Sequence, residues 1–192
     1  MMFSLFETIF EISNMPTATH SPVTTIAVIS DTHSHLDPRI AEIVRECDIA
    51  VHAGDICGED IINMMQPKSG KVIVVTGNND PYCHLTDTNL PEVLSFEVAG
   101  STITVEHGHE HGAHKPCHDS LRKAHPDSKI IIYGHTHKKV IDQTDTPWVI
   151  NPGAAGSTRT HGGPSCLVIE CNENEEWKIN KYRFPETENS NN

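Results

Sequence analysis

The fold is decided by residues 24–55, which read TTIAVISDTHSHLDPRIAEIVRECDIAVHAGD. The run Thr24–Ile29 is apolar and rich in β-branched residues, which predicts a buried strand. Asp37 followed by Pro38 is typical of a helix start, because Asp caps free N–H groups and proline fits the first turn. A helix follows, and the next buried strand is expected at Ile49–Ala53. Two strands joined by a helix indicate a parallel pair.

The same pattern continues once and then changes. A short helix at Glu59–Met65 and a third strand at Lys71–Thr76 extend the parallel half. The later segments are Val93–Val98, Ser101–Val105, a helix at about Cys117–Ala124, Ile130–Tyr133, Lys139–Ile141, Trp148–Ile150, Cys166–Ile169 and Trp177–Tyr182. These strands are short and separated by turns. A parallel half joined to a meandering half predicts an α/β protein with two sheets packed face to face and helices outside.

The two ends of the chain differ from its middle. We expect a flexible extension over residues 1–22, a single domain over 23–184 and a disordered tail over 185–192. The extension carries a short apolar pattern that two glutamates interrupt, and no basic residue precedes it. It is a poor signal peptide and is too short to span a membrane, so no membrane association is expected.

The chain has 192 residues and a formal net charge of -12. An acidic surface argues against coating a nucleic-acid backbone, since affinity there comes from Lys and Arg. It does not exclude a phosphate substrate, because bound metals can invert the local sign of charge. The six cysteines form no C-x-x-C pair, which argues against a thiolate zinc site. In the absence of a secretory leader we expect reduced thiols and a cytoplasmic protein, and a homo-oligomer is left open.

Five short polar clusters follow the predicted strands, or nearly so. They are Asp31-Thr32-His33, Gly54-Asp55, Gly77-Asn78-Asn79-Asp80, His107-Gly108-His109 and Gly134-His135-Thr136-His137. Most lie at the carboxyl end of a strand, which is the edge where open α/β sheets bind ligands. Imidazole and carboxylate donors without thiolate suit Mn, Fe, Co, Ni or Zn. They suffice for two ions in one site, which would hold a hydroxide nucleophile and neutralise charge on a phosphorus transition state.

The order DTH, GD, GNND, HGH and GHTH resembles the calcineurin-like metallophosphoesterases, over about residues 24–183. The small size and the run Asn151-Pro152-Gly153 after GHTH are similar to their compact bacterial and archaeal phosphodiesterase branch. The resemblance implies a four-layer α/β/β/α sandwich of two mixed sheets with flanking helices. It also implies a hydrolase that acts on small phosphoesters, diesters rather than monoesters, with manganese as the expected metal.

The resemblance further implies a role for each matching position. One ion would be held by Asp31, His33 and His137, the other by Asn78, His107 and His135, and Asp55 would bridge both.

One position departs from the family pattern. Many relatives carry a histidine where this chain has Asn79, and that histidine can protonate the leaving group. An amide cannot act as a general acid near neutral pH. Cleavage of poor leaving groups is therefore expected to be weak unless His109 or water substitutes, and Asn79 and His109 are the candidate catalytic residues.

Three alternatives stay open at this point. A phosphomonoesterase or nucleotide pyrophosphatase would use the same centre, and a non-catalytic scaffold like the retromer subunit would share the fold. The five histidines of residues 107–118 would suit a metal-storage protein.

Asp80 is expected either to orient ligands or to form a turn before Pro81. His161 is expected to be solvated, and residues 153–156 to form a plain loop rather than a phosphate cradle.

Overall fold

The computed structural model describes residues 22–83 and 89–186, so the predicted extension and tail lie almost wholly outside the described residues. The strands are β1 Thr24–Ile29, β2 Ile49–His52, β3 Lys71–Val74, β4 Val93–Val98, β5 Ser101–Glu106, β6 Ile130–Ile132, β7 Val140–Asp142, β8 Trp148–Asn151, β9 Ser165–Cys171 and β10 Lys178–Arg183. The helices are α1 Pro38–Glu46, α2 Glu59–Met64 and α3 His118–Ala124, with short 3-10 helices at Asp80–Tyr82 and His109–His111. Among the described residues no helix is long and apolar enough to cross a membrane.

The strands form two mixed sheets of five strands each. The first has the order β10-β9-β1-β2-β3, in which β1, β2 and β3 are parallel and β9 and β10 run antiparallel to their neighbours. The second has the order β4-β5-β6-β8-β7, with β5, β6 and β8 parallel and an antiparallel strand at each edge. Each sheet therefore has three parallel strands whose carboxyl ends share one edge.

The two faces of β1 show how the layers are arranged. Ile26 and Val28 belong to the apolar core that both sheets share, whereas Ala27 and Ile29 pack with buried residues of α1 and α2. This follows from the alternation of side chains along a strand. On the far side of the second sheet, Leu121 of α3 packs against residues of β6 and β8. The layers are thus α, β, β and α, and the predicted sandwich is confirmed.

Helix α1 begins as the sequence predicts. The Asp37 side chain accepts the Arg39 N–H at 2.9 Å and also binds the Arg39 guanidinium through both carboxylate oxygens. The third strand is shorter than expected and ends at Val74 rather than Thr76. The reason is that the Thr76 N–H donates to the Pro91 carbonyl, outside the sheet, so the chain has already turned away from β2.

Candidate metal centre

The loops that follow the parallel strands of both sheets converge on one site. Ligand atoms of Asp31, His33, Asp55 and His137 all lie within 4.8 Å of one another. The Nε2 atoms of His33 and His137 are 3.1 Å apart, and His137 Nε2 is 3.4 Å from Asp31 Oδ1. Four residues from three distant clusters of the sequence therefore point their donor atoms at one small volume.

A second group of donors lies beside the first. His107 Nε2 is 3.3 Å from Asp55 Oδ2, and the rings of His107 and His135 have centroids 5.3 Å apart. His135 Nδ1 lies 3.0 Å from Asn78 Oδ1. Asp55 Oδ2 is also 3.7 Å from His33 Nε2, so this one oxygen lies between the two groups.

Backbone carbonyls fix which nitrogen of each histidine carries a proton. Nδ1 of His107 donates to Ala53 O at 2.7 Å, and Nδ1 of His137 donates to Thr158 O at 2.7 Å. Nε2 of His135 donates to Ala113 O at 2.8 Å. Hydrogen bonds of this kind fix the ring and the tautomer of metal-binding histidines. The other nitrogen of each ring is left with a lone pair directed into the site.

Those lone pairs face oxygen atoms that are also acceptors. His107 Nε2 is buried and has no hydrogen-bond partner, although the carboxylate of Asp55 lies 3.3 Å away. The pKa of His107 is raised, because Asp55 and Asp31 outweigh burial, which alone would lower it. Lone pairs this close repel unless a proton or a cation lies between them. The residues present therefore fit divalent metal ions.

The two carboxylates of the site differ in their surroundings. Burial raises the pKa of Asp31 to about 7, even though Ser30 Oγ and the His135 N–H donate to it. Burial would also raise the pKa of Asp55, but contacts with His107 and Asn79 outweigh it and hold that pKa well below its usual range. Burial lowers the pKa of His137 to about 4, so this ring is neutral and able to bind a metal near neutral pH.

Five of the seven predicted ligands have a left-handed backbone. The φ angles are 52° for Asp31, 45° for His33, 54° for Asp55, 68° for His135 and 57° for His137. Such a conformation costs a non-glycine residue on the order of 1–3 kcal/mol and persists only where the surrounding structure fixes it. Strain of this kind concentrates at functional sites, and here it coincides with the convergent donors.

Asp80 supports the ligand loops from behind. Its carboxylate accepts four backbone N–H groups, from Asp55 at 3.0 Å, Ile56 at 2.7 Å, Cys57 at 2.9 Å and Gly77 at 2.7 Å. The structure shows both roles considered from the sequence: Asp80 begins the 3-10 helix Asp80–Tyr82, and its carboxylate ties the loop after β2 to the loop after β3. A side chain at Gly77 would come within 2.3 Å of the Asp55 backbone nitrogen, so this approach requires glycine.

The two predicted catalytic residues have different surroundings. Asn79 directs both of its donors at Asp55: the backbone N–H lies 2.9 Å from Oδ1, and the side-chain Nδ2 lies 2.6 Å from Oδ2. Asn79 therefore orients the shared carboxylate. The ring of His109 lies 5.6 Å from that of His107, and its Nδ1 is buried without a hydrogen-bond partner. Of the two, only His109 has a titratable nitrogen free beside the ligands.

Sequence reasoning missed the cationic residues around the site. A cavity of about 510 Å³ is lined by ligands and Asn79 together with Lys138, Arg159 and His161. Arg159 Nη2 lies 2.8 Å from His137 Nε2, and His161 is exposed, as the sequence predicts, with a left-handed φ of 50°. The available signals were Lys138, which directly follows the GHTH cluster, and the two basic residues in the loop after Asn151-Pro152-Gly153. Residues 153–156 are packed rather than open to a ligand, since a side chain at Gly156 would come within 2.3 Å of Thr32 O.

Comparison with known proteins agrees with this geometry. Residues 25–174 match the model of the calcineurin-like phosphoesterase superfamily domain. A phosphodiesterase of Methanocaldococcus jannaschii is 28% identical over 167 residues, which cover 78% of this chain and 95% of the relative.

Solved structures share the fold at lower identity. The Vacuolar Protein Sorting 29 structure from Cryptosporidium parvum superposes with a TM-score of 0.69 and 17% identity, covering 85% of this chain and 99% of that one. The structure of an archaeal phosphodiesterase gives a TM-score of 0.60 and 23% identity, covering 83% of this chain and 100% of that one. The family match makes this chain a hydrolase of phosphoric ester bonds, and it belongs to the calcineurin-like phosphoesterase superfamily.

Proposed function

We propose that this chain is a phosphodiesterase whose centre holds two divalent metal ions. The observation that carries the proposal is the position of Asp55 Oδ2, 3.7 Å from His33 Nε2 on one side and 3.3 Å from His107 Nε2 on the other. One ion would be held by Asp31, His33, Asp55 and His137, and the other by Asp55, Asn78, His107 and His135. A carboxylate between two sets of donors is what a shared site needs.

We propose manganese as the metal, and the donor chemistry is compatible with it as well as with Fe, Co, Ni and Zn. The proposed ligands are imidazoles, carboxylates and one amide, with no thiolate among them. Two such ions would supply a nucleophile derived from water and neutralise charge on the phosphoryl group.

The chain's own residues would bind the phosphoester in the adjoining cavity. Arg159, Lys138 and His161 line that cavity, although the chain as a whole carries a net charge of -12. A guanidinium can match two phosphate oxygens at once, whereas an ammonium acts as a point charge. Arg159 would therefore orient the substrate, and Lys138 would add charge at the rim.

Two observations favour diesters over monoesters. Asn79 is engaged with Asp55 and cannot donate a proton to an alkoxide, so no strong acid lies at the position where many family members carry histidine. The archaeal relative named above is a phosphodiesterase. Diesters with acidic leaving groups need the least help from a proton donor. We propose His109 for that help, because its Nδ1 has no hydrogen-bond partner and its ring lies 5.6 Å from that of His107.

The alternative function, a non-catalytic scaffold, is supported only by similarity of fold. The likeness to Vacuolar Protein Sorting 29 rests on 17% identity, which speaks for architecture and not for activity. The donors in this chain are complete at all seven predicted positions, and most carry backbone strain. A scaffold has no need for either feature.

We also propose a cytoplasmic location, which the six free cysteines support.

The proposal is tested with the purified full chain after removal of metals by a chelator. Rates are measured on bis(p-nitrophenyl) phosphate and on p-nitrophenyl phosphate after adding back Mn, Zn, Co, Ni or Mg separately. We expect no diesterase activity without metal, recovery of activity with Mn to a maximum at two Mn ions per chain, and slower cleavage of the monoester. Full activity in the chelated protein would refute metal dependence, and saturation at a single ion would refute the shared site.

A further inference from the structure

A second group of potential metal ligands lies apart from the centre described above. Glu106 ends β5, His111 ends the 3-10 helix His109–His111, and His125 directly follows α3. Their ligand atoms lie within 4.8 Å of one another. His111 comes from the histidine-rich segment of residues 107–118, most of which the catalytic centre does not use.

The group is separate from the catalytic centre although Glu106 precedes His107. Side chains of consecutive strand residues point to opposite faces of the sheet. Ile103 and Val105 belong to the core between the sheets, so Thr104 and Glu106 point away from it, toward the layer that contains α3. The Thr104 hydroxyl is 2.7 Å from that of Ser128, which agrees with this direction. The sheet therefore separates Glu106 from the shared core.

The geometry places one imidazole nitrogen on each oxygen of a buried carboxylate. His111 Nε2 is 3.0 Å from Glu106 Oε1, and His125 Nε2 is 2.7 Å from Glu106 Oε2. Glu106 is only 6% exposed, whereas both histidines are partly exposed, so an ion has a path from solvent. The ring of His111 is held in place from its other side, because its Nδ1 lies 2.8 Å from Ser120 Oγ in α3.

Charge and donor type both favour a cation here. A buried carboxylate is costly unless positive charge compensates it, and neutral imidazoles bring hydrogen bonds but no charge. Two imidazoles and one carboxylate form a donor set that Zn²⁺ takes, with the fourth position left to water.

We propose that Glu106, His111 and His125 bind a zinc ion that joins β5, the 3-10 helix and the end of α3. The ion would hold these three elements together. It fixes the segment between β5 and α3, which carries His107, His109 and the Ala113 carbonyl that orients His135. This proposal does not rest on the proposed diesterase activity, because it concerns ligands that the catalytic centre does not use.

The test counts zinc ions in the full chain. Wild type, His125→Gln and His118→Gln are stripped with a chelator, dialysed against micromolar zinc and measured for zinc per chain. His118 is a matched control, because it also pairs with a carboxylate, that of Asp142 at 2.6 Å, but shares it with Arg122 rather than with a second histidine. We expect one zinc ion fewer in His125→Gln and no loss in His118→Gln. Equal zinc in all three proteins would overturn the site.

A second measurement keeps the proposal open to refutation if His125→Gln fails to fold. Wild-type protein is treated with diethyl pyrocarbonate with and without zinc, and modified histidines are identified by mass spectrometry. We expect zinc to protect both His111 and His125 and to leave His118 unprotected. Unchanged modification of His111 and His125 would overturn the site, whatever happens at the histidines of the catalytic centre.

Discussion

Histidine side chains lie against aspartate carboxylates both at the metal centre and at the end of β7, but the hydrogen bonds around the two sets of carboxylates differ. At the end of β7, Asp142 Oδ2 lies 2.6 Å from His118 Nδ1 and 2.9 Å from Arg122 Nη2. Asp142 Oδ1 accepts the hydroxyl of Thr144 at 2.6 Å. Thr144, His118 and Arg122 together hold the pKa of Asp142 far below its usual range. Every group around this carboxylate is a hydrogen-bond donor or a cation.

At the metal centre the histidines cannot donate to the carboxylates in this way. The N–H groups of His107 and His137 are taken by Ala53 O and Thr158 O, so their other nitrogens face Asp55 and Asp31 as acceptors, and that of His137 also lies 2.8 Å from Arg159 Nη2. The difference teaches that closeness of histidine to carboxylate does not distinguish a metal site from an ion pair. In these two places the difference lies in which ring nitrogen the protein backbone has already occupied.

The distinction between the two sites would be wrong if replacing Asp55 and replacing Asp142 by asparagine had the same effect on metal content and activity. Asp55→Asn should lower metal content and diesterase activity together, by roughly a thousandfold in kcat/KM, because several kcal/mol of transition-state stabilisation depend on the ions. Asp142→Asn should retain metal content and activity, although it removes a carboxylate that also pairs with histidine. Metal analysis and steady-state kinetics on both variants check this. Normal metal content in Asp55→Asn would remove the basis for a shared carboxylate.

Asn79 offers a second test of the difference between the two aspartates. Asp55 accepts hydrogen bonds from this neutral amide, whereas Asp142 is paired with His118 and Arg122. Asn79→Ala should weaken metal binding or activity by about 10–100-fold, the usual effect of losing a partner that orients a ligand. Asn79→His would place an acid at that position, and general acid catalysis typically contributes about 10²–10⁴-fold. We expect a steep dependence on leaving-group pKa in the wild type and a shallower one in Asn79→His.

A leaving-group series of phosphodiesters, from aryl to alkyl, measures that dependence in both proteins. A flat dependence in the wild type would mean that another acid already works, and His109 would then be the first residue to replace.

His52 is a buried histidine that pairs with no carboxylate, and its effect should be the smallest. Its Nε2 lies 2.9 Å from Thr32 Oγ1, and burial lowers its pKa to about 3. The unfolded chain binds a proton at this residue below about pH 6.5, whereas the folded chain does not. The stability that this difference contributes is therefore present above that pH and is lost as the pH falls toward 3, by up to about 1.4 kcal/mol per pH unit.

Urea unfolding of the metal-free protein between about pH 7 and 4 measures this slope. His33, His135 and His137 also have lowered pKa values and act in the same direction, whereas Asp31 and His107 have raised pKa values and act in the opposite direction. The effect of His52 is therefore measured as the difference in slope between wild type and a His52 variant. His52→Gln should reduce that slope by one proton. An unchanged slope would show that His52 is protonated in the folded chain.

The fold could be predicted because local patterns agree with the tertiary structure. Thr24–Ile29 is apolar on both sides, and β1 is buried on both of its faces, between the second sheet and helices α1 and α2. The five polar clusters could be ordered in space for the same reason, since parallel strands bring their ends to one edge.

The finer parts of the site could not be predicted because they depend on contacts between distant residues. Nothing in the sequence marks Ala113 and Thr158 as suppliers of the carbonyls that orient His135 and His137, because any residue has a carbonyl. Arg159 reaches His137 only after the loop that follows β8 has folded back. The role of Asp80 was left open for the same reason, since its four N–H partners come from two loops.

The use of backbone carbonyls to orient His107, His135 and His137 has an evolutionary consequence. A backbone carbonyl is retained whatever residue replaces the one that carries it. The side chains of Ala53, Ala113 and Thr158 therefore take no part in orienting the histidines. Ala113 and Thr158 are exposed, and Ala113 lines the cavity beside the metal centre. A lineage could therefore change the side chains that meet a substrate at these loops while the orientation of the ligands is inherited intact.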